Sequence, residues 1–406
     1  MDTPSLSPKQ LQFRFSSMLF IFQGTMAATG FIVSFLQEQG MNTAQVGLIM
    51  SCTSVITMLA PPLWGLITDK LRSVRRVFML CLIVATILYA LTPTASHLSN
   101  ASVVVMIFVL VLAAFFRAPT GSLMDSWIVR TVNQIPGITY GNIRIWGSIG
   151  YAVISYLLVY LVTWLSTTAT FYFYGFAAMA ALLLSRRLPD DAAAMKKSVS
   201  FKELEVGRIF KSYWLAAFLI FLTLRGVSMY CSGNFLSFLI ADVGGSTASL
   251  GTINAIRAFC EVPLLFLSQR LIKRFGMIKL LVVSSLLYMF GELGYAAVDS
   301  FWQIVAVQCM AGVAYGLFVS CQVQYVASIA PKGLAATAQT LASALPAMTG
   351  IFGNALAGWL MEAIGLRQYY FLSAVMLLVA SLILIVSFPI GTKILKLKAP
   401  DTRLNK

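Results

Sequence analysis

Long apolar stretches separated by short polar breaks run along almost the whole chain, from about Phe15 to Pro389. A helix that crosses a bilayer takes about 20 apolar residues. On that measure the pattern predicts twelve spanning helices, over residues 15–37, 44–69, 76–96, 101–131, 142–164, 168–186, 211–240, 247–270, 277–298, 300–330, 333–362 and 366–390. The one long polar interruption, residues 187–210, is rich in charge and carries Pro189. It reads as a linker between a first bundle over 1–186 and a second over 211–390, with a polar tail at 391–406. Composition points the same way: 59% of residues are hydrophobic, 11% are charged and the mean hydropathy is +0.85. A chain of this length could not keep such a surface in water. The spans leave no space for a soluble catalytic domain, so the chain is expected to be an all-α membrane protein and no enzyme. Residues 1–14 are polar and no small-residue cleavage site follows the first apolar run, so no signal peptide is expected.

The net charge of +15 changes this picture only in where it lies. Lys70, Arg72, Arg75 and Arg76, then Arg186, Arg187, Lys196 and Lys197, then Arg270, Lys273, Arg274 and Lys279, fall in alternate connections, and the tail adds Lys393, Lys396 and Lys398. The other set of connections is nearly free of basic residues, with Arg367 alone in its last member. This is the positive-inside pattern, which places both termini in the cytoplasm of a cell membrane and argues against nucleic acid as partner. The six cysteines fall inside predicted spans without metal-ligand spacing and read as small apolar side chains. His97, the one histidine, lies in a short loop. No metal or cofactor site is expected.

The two bundles resemble each other. Thr43-Ala44-Gln45-Val46-Gly47-Leu48-Ile49 recurs 204 residues on as Thr247-Ala248-Ser249-Leu250-Gly251-Thr252-Ile253, and the basic loops Lys70–Arg75 and Arg274–Lys279 share that offset. Gly147 and Gly150 fall on Gly350 and Gly353 at an offset of 203. Parallel repeats of six helices about an axis normal to the membrane characterise one transporter architecture, with solute bound between the halves at mid-depth. The loop Gly65-Leu66-Ile67-Thr68-Asp69-Lys70-Leu71-Arg72-Ser73-Val74-Arg75-Arg76 carries the hallmark Gly, an Asp four residues on and a basic cluster. On these residues the chain resembles the major facilitator superfamily over nearly its full length. The resemblance implies two six-helix repeats that rock about a central site, with this loop latching the cytoplasmic side. Arg72 stands where the family has glycine, and Lys273 replaces the acid in the second half, so Asp69 is the expected latch carboxylate.

An ionisable residue inside the bilayer costs at least about 2.5 kcal/mol unless paired or hydrated, so each is a candidate for function. Seven stand in the predicted spans: Arg117, Asp125, Arg144, Arg225, Arg257, Glu261 and Glu292. Arg257 and Glu261 are four apart on one helix face, near mid-span. There Glu261 could be held charged by Arg257 or Arg225 and protonated when the pair separates, as proton coupling requires. Glu261-Val262-Pro263 before Arg274-Phe275-Gly276 resembles the eighth helix of nucleoside/proton symporters, where such a glutamate serves substrate binding. The competing reading is a static ion pair. Asp125 and Arg144 flank one short turn and could pair across adjacent helices. Arg144-Ile145-Trp146-Gly147-Ser148-Ile149-Gly150-Tyr151 resembles the fifth helix of lactose permease and the nucleoside symporters, whose arginine pairs with a carboxylate and binds sugar. A structural gate bridge is the alternative here. Gly147 and Gly150 read as close helix packing, and Trp146 as a stacking ring or an interface anchor. Arg117 partly matches a proton-transfer motif of the family. Glu292 lies toward the outer end of a span that is usually peripheral in this architecture and ranks last of the seven. Asn234, Gln308, Tyr315 and Asn354 add amides and an aromatic ring suited to a polyhydroxyl or base-bearing solute, or to helix–helix hydrogen bonds.

The expected function is therefore proton-coupled uptake of a small polar solute such as an oligosaccharide or nucleoside, for which a monomer suffices. The lipid bilayer, protons and the solute are the expected partners. Phenylpropionate-like aromatic-acid uptake and drug/proton efflux are the alternatives. The Gly-Pro pair that many exporters carry in the fifth span is missing from Gly147–Ile154, which counts against efflux.

Overall fold

A computed structural model describes residues 7–71, 73–95, 102–132, 140–186, 188–189, 212–330 and 335–400. Arg72, His97, linker residues 190–211, tail residues 401–406 and the side chains of Asp69 and Cys231 lie outside the described residues. The described residues are helical throughout, with no strand. In chain order the helices are α1 (Pro8–Thr29), α2 (Ile32–Glu38), α3 (Thr43–Leu71), α4 (Val74–Ala95), α5 (Ser102–Val132), α6 (Tyr140–Trp164) and α7 (Ala169–Ser185). They continue as α8 (Tyr213–Asn234), α9 (Leu236–Asp242), α10 (Ser249–Phe275), α11 (Met277–Ala297), α12 (Phe301–Ile329), α13 (Ala335–Ile364) and α14 (Leu366–Pro389), closed by a π turn at Ile390–Ile394. Among the described residues nine segments are helical, long and apolar enough to cross a membrane, Pro8–Glu38 counting as one of them. Ala169–Ser185 and Tyr213–Met229 are shorter apolar helices.

Two of the expected spans are each broken once. Residues 15–37 become α1 and α2, and residues 211–240 become α8 and α9. The breaks fall at Phe31 (φ −93°, ψ 2°) and Phe235 (φ −97°, ψ 11°), residues 204 positions apart, and both rings are fully buried. The repeat read in the sequence thus extends to backbone geometry. α1 also begins seven residues earlier than the apolar run. Pro8 opens it, and Ser7 and Gln10 form a reciprocal capping box that satisfies the first free N–H groups.

Contacts divide the chain into two units. One comprises Met1–Gly40, Cys52–Ser198 and Thr247–Ala255; the other comprises Met41–Ser51, Val199–Ser246 and Ile256–Lys406. In the first, α1 packs on α6 and α7, while α4 packs on α5 and α7. In the second, α8 packs on α13 and α14, and α11 on α12 and α14, the same scheme in repeated elements. The short pieces that join the unit of the other repeat are the very segments whose sequences match, and each presses a glycine on backbone. A Cβ on Gly47 would strike the Asn354 carbonyl oxygen, and one on Gly251 would strike that of Ser155.

Lipid tails are as apolar as leucine, so helices here associate through close packing and hydrogen bonds. Gly150 lets α6 reach the α1 backbone, where an added Cβ would sit 2.8 Å from Phe20 Cα and nearer still to its carbonyl oxygen. In the second unit serine hydroxyls do comparable work. Ser284 Oγ donates to the Ala314 carbonyl at 2.7 Å and Ser381 Oγ to Ser285 Oγ at 2.8 Å. Gly276 begins α11 with φ +83°, ψ 153°, a conformation that only glycine adopts at little cost. It stands 204 residues after Arg72, so the second repeat keeps the glycine that the first has lost.

Gly150→Leu is expected to destabilise the protein by about 1–3 kcal/mol or more through overpacking against Phe20. Gly65→Ala, where a Cβ meets nothing within 4 Å, is expected to leave stability unchanged. Thermal unfolding of the detergent-solubilised variants checks both.

Candidate functional site

The second unit gathers four of its charged side chains on α8, α10 and α11. Arg225, on α8, is 8% exposed. Its guanidinium carbon lies 3.4 Å from the centroid of the Phe318 ring and 4.8 Å from that of Tyr288. Its Nε and Nη2 make no hydrogen bond among the described residues. A desolvated cation over an aromatic face gains about 2 kcal/mol, which offsets only part of the cost of leaving water. Aromatic rings hold this arginine without consuming its hydrogen-bond donors. The Arg257 guanidinium stands 5.1 Å from the Tyr315 ring centroid in the same way, so both cations of the bundle rest on aromatic faces supplied by α11 and α12.

Arg257 and Glu261 stand one turn apart on α10, and α12 explains how they come close to it. Gly312 and Gly316 form a Gly-x-x-x-Gly pair, the small-residue pattern that allows helix backbones to approach. A Cβ on Gly312 would collide with the Arg257 carbonyl oxygen, and one on Gly316 would lie 2.8 Å from the Glu261 carbonyl oxygen. The two glycines therefore receive the backbone of the two charged residues themselves. Tyr315, between them in sequence, is brought under Arg257.

Glu292 ranks last among the seven charges of the predicted spans. It is 3% exposed and lines a cavity of about 50 Å³ with Arg257, Tyr288, Tyr295 and Gln308. Gln308 is 4% exposed, and its Oε1 makes no hydrogen bond among the described residues. Tyr288, Glu292 and Tyr295, at spacings of four and three on α11, form one inward stripe, and that spacing is visible in the sequence. Elsewhere in this unit Asn234 Nδ2 donates to Asn354 Oδ1 at 2.9 Å, and Asn354 Nδ2 donates to the Gly350 carbonyl at 2.8 Å. The first bond joins α8 to α13, and the second lies within α13.

In the first unit Arg117 on α5 faces the Tyr89 and Tyr174 hydroxyls. The rings of that pair lie 4.4 Å apart, and Arg117 Nη1 reaches Met26 Sδ on α1 at 3.9 Å. The proposed bridge between Asp125 and Arg144 is not formed. Arg144 makes no ion pair among the described residues, and its guanidinium folds back over Gly147, where a Cβ would sit 2.8 Å from Nη1. The missing Cβ leaves room for that fold. Trp146, 46% exposed, lines an open groove of about 660 Å³ with Lys9, Gln12, Ser16 and Phe20 of α1.

The loop motif divides in two. Lys70 and Arg76 are exposed. Arg75 instead donates to the Leu188 and Arg186 carbonyls, each at 3.0 Å. It thereby caps the C-terminus of α7, where free carbonyls and the helix dipole favour a cation. Trp127 Nε1 donates to the Pro189 carbonyl at 3.0 Å beside it.

The helical fold and the paired repeats define a membrane transporter, and comparison with known proteins agrees. The chain belongs to the MFS_1 like family, whose model matches residues 13–393, and so to the major facilitator superfamily. It is 28% identical over 338 residues to maltose permease of Geobacillus stearothermophilus, covering 82% of this chain and 80% of that one. It is 23% identical over 261 residues to xanthosine permease of Escherichia coli (strain K12), covering 59% of this chain and 60% of the permease. The crystal structure of the nucleoside transporter NupG superposes with a TM-score of 0.78 at 18% identity, covering 93% of this chain and 99% of that one. The protein is a multi-pass membrane transporter and not an enzyme.

Replacing a buried ion pair by apolar side chains of similar volume is often stabilising by about 1–4 kcal/mol, and Arg225 rests on rings, which leave no buried countercharge behind. Arg225→Met is accordingly expected to raise the thermal unfolding midpoint while abolishing solute binding. A fall in that midpoint would make Arg225 a structural residue.

Proposed function

We propose that the protein takes up a small neutral polar solute, an oligosaccharide or a nucleoside, together with protons. The carrying observation is the second unit's two arginines, Arg225 buried and Arg257 half-buried, each set on an aromatic face, near two carboxylates. Guanidinium donors recognise sugar hydroxyls or base carbonyls, and tyrosine rings stack on the flat faces of either. Trp146 with Gln12 and Ser16 in the α1 groove offers the same chemistry from the first unit. The relatives named for maltose and for xanthosine support this substrate range.

In this reading the two broken helices each count as one crossing, which makes twelve spans, and both termini are cytoplasmic. Trp164, Trp302 and Trp359, 78%, 75% and 60% exposed, then all fall at the face opposite the basic loops. Tryptophan favours such interfacial positions. Glu261 binds a proton from outside, solute binds near Arg144, Asp125 and Tyr315, the bundles rock, and both cargoes leave inward. Asp69 with Lys70 and Arg76 latches the cytoplasmic side. The protein works as a monomer in the cell membrane, driven by the proton gradient without a cofactor.

Purified protein in liposomes with an inward proton gradient is expected to accumulate maltose or a nucleoside such as xanthosine. Glu261→Gln is expected to lower that accumulation by at least roughly tenfold. The reading fails if the wild type concentrates neither class of solute and Glu261→Gln changes nothing.

A further inference from the structure

The start of α8 and the end of α14 pack side by side and leave a groove of about 500 Å³ between them on the surface of the second unit. Ile220 of α8 and Leu382 and Val386 of α14 line it and are exposed. Small side chains at Ala216 and Ala217 keep it open. The two hydroxyls at its end turn to backbone: Tyr213 donates to the Ser387 carbonyl and Ser387 Oγ to that of Leu384, each at 2.8 Å. Along its length the groove therefore presents hydrocarbon. It runs from Val379 to Ile390, which at a rise of about 1.5 Å per residue is about 16 Å. The hydrocarbon core of a bilayer is about 30 Å thick, so the groove is as long as one leaflet is deep.

Its mouth is basic. The chain leaves α14 through the π turn Ile390–Ile394 and continues as Lys393-Ile394-Leu395-Lys396-Leu397-Lys398, all six residues exposed. This segment folds back on the helix end: Leu395 N–H donates to the Ile390 carbonyl at 3.0 Å, and Leu397 N–H to that of Gly391 at 2.9 Å. Gly391 lets the turn close, since a Cβ there would sit 2.8 Å from the ring of Tyr213, a lining residue of the groove. The reversal places Lys396 at φ +51°, the one non-glycine residue with positive φ among the described residues. A lysine takes that conformation only against strain. No acidic residue lies between Glu362 and Asp401, or between Glu205 and Asp242, to neutralise this end. We infer that the groove holds one acyl chain of an anionic phospholipid, whose phosphate lies against the lysines of the turn. A buried chain and a basic patch are each weak anchors alone and hold a lipid firmly together. A zwitterionic headgroup brings its own cation and gains less. The inference uses only the membrane setting of the chain, so it stands or falls apart from the uptake reading.

Native mass spectrometry of the detergent-solubilised full chain, titrated with phosphatidylglycerol or phosphatidylcholine of identical acyl chains, reads the bound lipid. Phosphatidylglycerol is expected to bind at least roughly tenfold more tightly. Changing Lys393, Lys396 and Lys398 together to Gln is expected to bring the two lipids within about twofold of each other. Changing Lys273 and Arg274 to Gln, at the exposed end of α10, is expected to leave the preference intact. Ala217→Phe, which fills the groove, is expected to weaken phosphatidylglycerol binding at least roughly tenfold. Glycerol 3-phosphate, a headgroup without chains, is expected not to displace the lipid. Lys396→Gly adopts φ +51° without strain and keeps the turn, so it separates charge from structure. It is expected to lose about fivefold in phosphatidylglycerol affinity, with an unfolding midpoint no lower than that of the wild type. Equal affinity for both lipids in the wild type overturns the inference. So does a preference kept by the triple lysine variant or lost with Lys273 and Arg274, wild-type binding by Ala217→Phe or Lys396→Gly, or displacement by glycerol 3-phosphate.

Discussion

The buried guanidinium of Arg225 is the constraint to which the second unit is built. Arg225 is buried on α8 and Arg257 half-buried on α10, and an unsolvated charge inside a bilayer is expensive. Arg225 rests on the Phe318 and Tyr288 rings, unlike Arg367 at the start of α14, which is bridged to Asp242 and Asp299 at 3.2 and 2.9 Å. An aromatic face also lies under Arg257. Such faces stabilise the cation and leave its N–H groups available, which a bidentate carboxylate would not. The Gly312/Gly316 notch on α12 follows from the same need, because it sets Tyr315 close enough to lie under Arg257.

Frame and chemistry separate clearly in this molecule. The frame is doubled: the helix breaks at Phe31 and Phe235, the packing scheme of both units and the backbone-pressed glycines at 47 and 251 all recur. The chemistry is not doubled. The first unit has Arg117 beside a tyrosine pair and an arginine folded on its own helix, whereas the second has two arginines and two carboxylates. A shared scaffold therefore says little about solute, and the argument for function rests on the unrepeated residues.

Much of the fold was legible because membrane helices announce themselves by unbroken apolarity. The boundaries of α4, α6, α11 and α14 fall within about two residues of the sequence reading. The start of α1 was not, since its first turns are polar and depend on the Ser7–Gln10 box, which apolar periodicity cannot register. The site was legible in its residue types more than in its pairings. Arg257 and Tyr315 come together, a contact that spacing along the chain does not imply. Asp125 and Arg144 do not, because proximity along the chain says nothing about which way a long side chain folds when the next turn offers a glycine. Glu292 ranks last by the usual place of its helix in the architecture, whereas the inward stripe it shares with Tyr288 and Tyr295 lies in the residue spacing itself.

The contacts of Arg75 and Trp127 have a mechanical consequence. By gripping the carbonyls of Arg186, Leu188 and Pro189, they clamp the polypeptide just after α7 ends. Tension arriving along the connection between the two repeats is then borne by α4 and α5, through three hydrogen bonds loaded in parallel, and does not peel open the final turn of α7.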